Sequence, residues 1–154
     1  MKRICLITAL LVAGFLPFTA FAAEEHTAVT PDQLKWAQNP AMPKGAEVAI
    51  VNGDPSKEGV YVIRLRVPAG LKVPPHFHPN DENVTVLSGT FNIGMGDTLD
   101  ESRGQAVPTG GFFQTPKTMH HYAWFDEDTV LQLHGIGPGG ITYINPDDDP
   151  RKTQ

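Results

Sequence analysis

Residues 70–89 read GLKVPPHFHPNDENVTVLSG, and the fold turns on this stretch. His76 and His78 are separated by one residue, and Glu82 follows four residues after His78. Along an extended strand, residues i and i+2 point to the same face. The two imidazoles therefore stand side by side, about 6 to 7 Å apart along the chain. Pro79, Asn80 and Asp81 are turn formers, so the chain can bend there and return Glu82 to the histidines. Val84 and Val86 then open a β-branched run that ends at Ser88-Gly89. Two neutral nitrogens and one carboxylate oxygen begin a first-row metal site with positions left over.

On either side of this stretch the signals are also β. EVAIV (47–51) is followed by the turn Asn52-Gly53-Asp54-Pro55. In VYVIRLRV (60–67), Tyr61, Ile63, Leu65 and Val67 share one face, with Arg64 and Arg66 on the other. Further strands are predicted at 72–78, 83–88, 90–95, 111–115, 121–126, 129–134 and 140–144. Gly and Pro total 29 residues and punctuate these runs. Many short strands, frequent turns and no long helical period predict an all-β sandwich or barrel. Before them, Thr30-Pro31-Asp32-Gln33 reads as a helix start that Asn39-Pro40 and Met42-Pro43 soon break. Trp36 is expected to pack this arm onto the domain, and residues 145–150 to form an exposed tail.

A third histidine arrives on a separate strand. In TPKTMHHYAWF (115–125), His121, Ala123 and Phe125 share one face, while His120, Tyr122 and Trp124 share the other. The small and apolar companions of His121 suit the interior, so His121 rather than His120 is expected to join His76, His78 and Glu82.

The chain has 154 residues, and the first 22 have the pattern of a secretory leader. Lys2 and Arg3 supply the positive start, residues 4–18 are mostly apolar, and Ala20-Phe21-Ala22 fits a small-x-small cleavage site. The apolar run is short for a membrane span. Cleavage after Ala22 would leave 132 residues, enough for one compact domain in the periplasm or outside the cell. The single cysteine, Cys5, lies in the leader, so the mature chain would contain neither disulfide nor thiolate. Net charge is −5, and losing Lys2 and Arg3 deepens it to −7. An acidic domain without basic clusters is poorly suited to nucleic acid or an anionic membrane surface.

These motifs resemble a single-domain, RmlC-like cupin. The first cupin motif is G, five residues, HxH, three or four residues, E, six residues, G. Gly70, His76, His78, Glu82 and Gly89 match each fixed position. Of the second motif, Pro116 and His121 keep their spacing. Gly111 lies one residue nearer the proline than usual, Thr118 stands where glycine is usual, and Phe125 where asparagine is usual. The resemblance covers roughly residues 45–145 and implies a jelly-roll barrel, or double-stranded β-helix, of two antiparallel sheets. The division it suggests is a leader (1–22), an N-terminal arm (23–44), the barrel (45–145) and a tail (146–154). It implies four ligands, His76, His78, Glu82 and His121, on a divalent transition ion such as Fe, Mn, Zn, Ni or Co, with open positions for a small molecule. A homodimer is the family expectation. The implied function is a small metalloenzyme of dioxygenase-like or Lewis-acid isomerase or lyase type; the alternative is a binding or sensing module using the same pocket without turnover.

Other motifs carry less. Gly135-Ile136-Gly137-Pro138-Gly139-Gly140 matches GxGxxG, but the following residues read as a strand, and a dinucleotide site needs a helix there. His134 shares a face with Val130 and Gln132, opposite Leu131 and Leu133, which places it outside if the leucines form the core. Tyr61, Phe91, Ile93 and Phe125 read as ordinary core residues able to line a pocket.

Overall fold

The computed structural model of the protein describes residues 26 to 153. The expected leader, 1–22, and Cys5 within it lie outside the described residues.

Eleven strands are present among the described residues: β1 (Ala37–Gln38), β2 (Glu47–Asn52), β3 (Gly59–Val67), β4 (Lys72–Phe77), β5 (Glu82–Ser88), β6 (Thr90–Met95), β7 (Gln105–Pro108), β8 (Phe112–Thr115), β9 (His121–Trp124), β10 (Thr129–Gly137) and β11 (Thr142–Tyr143). They form two antiparallel sheets, one in the order β1-β2-β3-β10-β5-β8 and the other β11-β4-β9-β6-β7. The sheets face one another as a jelly roll, as the alternation and the motif resemblance imply. Two strands, β1 and β7, are additions to the sequence reading. β1 has two residues, and β7 (QAVP) carries only one buried side chain, Val107. Neither is long enough to display a period.

Alternation explains the core. Leu65 and Val67 of β3, Val84 and Val86 of β5, and Leu131 and Leu133 of β10 project inward from the first sheet. Val73, Phe91, Ile93 and Ala123 meet them from the second, together with Phe125 just past β9. Each of these side chains larger than alanine contributes roughly 1.5 to 3 kcal/mol when fully buried. The leucine face of β10 is therefore the core. His134 lies on the other face, beside Val62 of β3 and Asn83 of β5 in the register.

Both ends of the described chain return to the barrel. The helix start is a single 3-10 turn, Pro31–Gln33, in which the Thr30 N–H donates to Gln33 Oε1 at 2.8 Å. Trp36 lies under the Arg66 guanidinium, 4.6 Å from the ring centre, and Arg66 also pairs with Glu47 across β2 and β3. The Tyr143 hydroxyl donates to Ala41 O at 2.9 Å, a second tie for the arm. The tail makes two 3-10 turns, Pro146–Asp148 and Pro150–Thr153. Arg151 Nη2 donates to Ile141 O at 3.2 Å, so the segment read as an exposed extension folds back beside β11.

Candidate metal centre

β4 and β9 are hydrogen-bonded neighbours, and His76 and His121 are direct partners in their register. Directly opposed residues share a face, and their ring centres lie 4.1 Å apart. His78, two residues after His76, completes a triangle, 5.0 Å from His76 and 5.1 Å from His121 between ring centres. One nitrogen from each ring falls within 4.8 Å of the other two. His76 and His121 are 5% and 2% exposed.

The bend expected at Pro79-Asn80-Asp81 is pinned on both sides. Asn80 Nδ2 donates to Pro138 O at 2.8 Å, and Asp81 Oδ1 accepts from the Lys117 N–H at 2.8 Å. The Thr118 N–H donates to His78 O at 2.9 Å. Glu82 thereby begins β5 beside the histidines, with Oε2 3.4 Å from His78 Nε2. Thr118, standing where the motif usually has glycine, adopts φ +62°. The turn keeps the left-handed backbone that glycine would take freely.

Each ring is oriented by a backbone carbonyl. Nδ1–H donates to Pro74 O at 2.7 Å in His76, to Gly140 O at 2.6 Å in His78, and to Met119 O at 2.9 Å in His121. A carbonyl only accepts, so each Nδ1 carries a proton and each Nε2 faces away from the backbone. Burial, reinforced by the neighbouring His121 and His78, holds His76 well below the usual histidine pKa. Burial also pushes His121 down to about 4. Both rings are thus neutral at neutral pH, the form that binds metals. Nε2 of His78 and Oε2 of Glu82, 3.4 Å apart, are both atoms of a kind that ligates metal ions. Thr115 lies opposite Glu82 in the β5–β8 register, and its buried hydroxyl has no partner among the described residues. The donor chemistry of the histidine cluster fits a site built around a bound ion. The three histidines are able to bind a metal, whereas Glu82 approaches only His78 among them and is not part of that three-nitrogen group.

The cluster sits in a cavity of about 430 Å³ between the sheets. Leu65, Val84, Phe91, Phe125, Leu131 and Leu133 supply much of its apolar wall. Tyr61 lines it as well, and burial together with the Glu82 charge raises that phenol's pKa. The mouth is framed by residues 38–42 of the arm, residues 139–141 and Arg151. Sequence reasoning had no local signal for Arg151 or the arm residues, since tertiary packing alone brings them there. His120 points away, with Nδ1 2.6 Å from Asp97 Oδ1 and its ring stacked on Phe77.

Comparison with known proteins agrees with this geometry. Residues 24–139 match the family described as the ChrR cupin-like domain. Among curated proteins, a germin-like protein subfamily 1 member 1 from Arabidopsis thaliana is 33% identical over 89 residues, which is 57% of this chain and 40% of that protein. A germin-like protein 3-1 from Oryza sativa subsp. japonica is 32% identical over 68 residues, 44% of this chain and 30% of that protein. The chain thus spans well under half the length of these relatives. Among solved structures, the polyketide cyclase RemF from Streptomyces resistomycificus superposes with a TM-score of 0.67 at 16% identity, covering 83% of this chain and 92% of that one. A putative acetylacetone dioxygenase from Methylibium petroleiphilum gives 0.62 at 18%, covering 86% and 90%. At these identities the structural likeness establishes the fold, and the family match spans most of the sequence. The chain belongs to the ChrR cupin-like domain family.

Proposed function

We propose that this protein is a metal-dependent cupin enzyme acting on a small organic molecule with an apolar body and an oxygen-bearing end. The observation that carries this reading is the set of three imidazoles whose Nδ1 protons are all held by backbone carbonyls, facing Glu82 inside an apolar cavity. His76, His78, Glu82 and His121 would hold a divalent transition ion. When bound, such an ion supplies Lewis acidity and, if it is iron or another redox metal, oxygen activation. The chain's own residues do the rest. The carbonyls of Pro74, Met119 and Gly140 fix the rings, the apolar wall excludes water, and Glu82 can accept a proton at a carboxylate oxygen. The superposable structures include a cyclase and a putative dioxygenase, which supports cupin chemistry of this breadth without choosing a reaction.

The test is metal content by mass spectrometry on protein purified without an affinity tag, beside a His76→Ala/His121→Ala variant. Near-stoichiometric Fe, Mn, Ni, Co or Zn in the wild type, lost in the variant, is the expected outcome. No uptake from any of these ions would overturn the ligand assignment. The largely apolar lining also favours a second reading, a binding or sensing module. A small molecule that raises the melting temperature of the loaded protein yet is never consumed would select that reading. We further propose that residues 1–22 direct export, on the charge and hydropathy pattern of that segment. A mature N-terminus at Ala23, found by intact-mass analysis of the secreted protein, is the expected result.

A further inference from the structure

The protein has three tyrosines, and two have their hydroxyls occupied. Tyr122 donates to Asp100 O at 2.8 Å and Tyr143 to Ala41 O at 2.9 Å. The Tyr61 hydroxyl has no hydrogen-bond partner among the described residues. Tyr61 is half-buried and lines the cavity that holds the histidines. Its pKa is raised by burial and then by the Glu82 charge, which places the phenol within electrostatic reach of the cluster.

The glycine-rich run 135–140, which does not bind a dinucleotide, explains how the phenol is held. Gly135 is the register partner of Tyr61 across β3 and β10. A Cβ at Gly135 would lie 3.2 Å from the Tyr61 oxygen, and one at Gly139 would lie 3.0 Å from it. The backbone packs closely on the phenol from two sides because neither residue has a side chain. The same run ends at Gly140, whose carbonyl accepts from His78 Nδ1. One segment therefore sets both a cluster histidine and the tyrosine.

Other polar side chains on the lining are turned to protein groups. Ser56 donates to Asp54, Gln38 to Asn39 O, and Arg151 to Asp149 and Ile141 O, while Asn39 accepts from the Ala41 N–H. We infer that Tyr61 is the substrate-binding donor of this pocket: its phenolic O–H hydrogen-bonds an oxygen of the small molecule that the histidine–glutamate cluster engages. This rests on the metal-site reading above and adds a residue that no ligand motif contains.

The experiment uses zinc-loaded full-length protein and benzoylformate, whose ring suits the apolar wall and whose adjacent keto and carboxylate oxygens suit the cluster. Affinity is read by titration calorimetry for wild type and Tyr61→Phe. Tyr61→Phe should bind zinc with unchanged stoichiometry and melt no lower than wild type, because no protein hydrogen bond is lost. It should bind benzoylformate about tenfold more weakly, the loss expected for one hydrogen bond to a charged acceptor. Equal benzoylformate affinity in both proteins, or no benzoylformate binding to the zinc-loaded wild type, would overturn the role of Tyr61 and leave the metal site standing. Failure of the wild type to take up zinc or any other transition ion would overturn the site reading and this inference together.

Discussion

His121 is a titratable group whose chemistry is strongly altered by where the fold puts it. Free histidine gains a proton near pH 6.5, whereas burial lowers His121 to about 4, and His76 is lowered as well. A histidine depressed in the folded state binds fewer protons there than in the unfolded chain. Its contribution is complete above pH 6.5 and is lost as pH falls towards about 4. The metal-free protein should therefore lose on the order of 3 kcal/mol from His121 alone across that window, measured by urea denaturation at pH 7 and pH 4.5. A flat profile would contradict the burial argument. Thr118 gives a second expectation at this scale. A β-branched residue at φ +62° is strained by roughly 1 to 2 kcal/mol. Thr118→Gly relieves the strain but adds chain entropy, so the net gain should be up to about 1 kcal/mol. The sequence showed that Thr118 departs from the motif, and the structure shows that the turn survives the departure.

At the scale of elements, the alternation in 60–67 and 129–134 was enough to place β3 and β10, while the inward face of β10 was settled by the packing of Leu131 and Leu133. β7 was not legible, because four residues with one buried side chain carry no period. The arm was legible as turn chemistry and as the Trp36 contact, which falls on Arg66, whereas the tie from Ala41 to Tyr143 had no local signal. Gly89 carries the chain from β5 in one sheet to β6 in the other at φ +76°, and a Cβ there would sit 2.5 Å from Thr129 Oγ1 and 2.7 Å from Asp128 O. Gly89→Ala combines backbone strain with a clash against backbone, and a loss of more than about 2 kcal/mol is expected by denaturant unfolding. Phe125, which occupies the motif's usual asparagine position, is 2% exposed and packs beside Phe91, 5.9 Å between ring centres. Phe125→Ala should cost about 3 to 5 kcal/mol, the range for removing a buried aromatic.

For the whole molecule, an ion held by the folded state and not by the unfolded chain must raise stability by mass action. At a free metal concentration one hundred times Kd the gain is about 2.7 kcal/mol. Adding a chelator should lower the melting temperature of the wild type and leave that of His76→Ala/His121→Ala unchanged. The histidine cluster itself was legible in the sequence. HxH spacing reports a shared strand face, and the chain around His121 reports which of two adjacent histidines turns inward. The pocket's outline was not legible, because its mouth joins residues 38–42, 139–141 and Arg151, segments far apart in sequence.

That mouth separates what the protein must conserve from what it can change. Strands β4, β5 and β9, which carry His76, Glu82 and His121, lie inside the sheets, where substitution disturbs packing. The rim is partly built from the two ends of the described chain, held by a few contacts such as Tyr143 to Ala41 and Arg151 to Ile141. Insertions and deletions are tolerated best in such peripheral segments. The outline of the pocket can therefore change by editing the rim segments, leaving the barrel and its histidines intact.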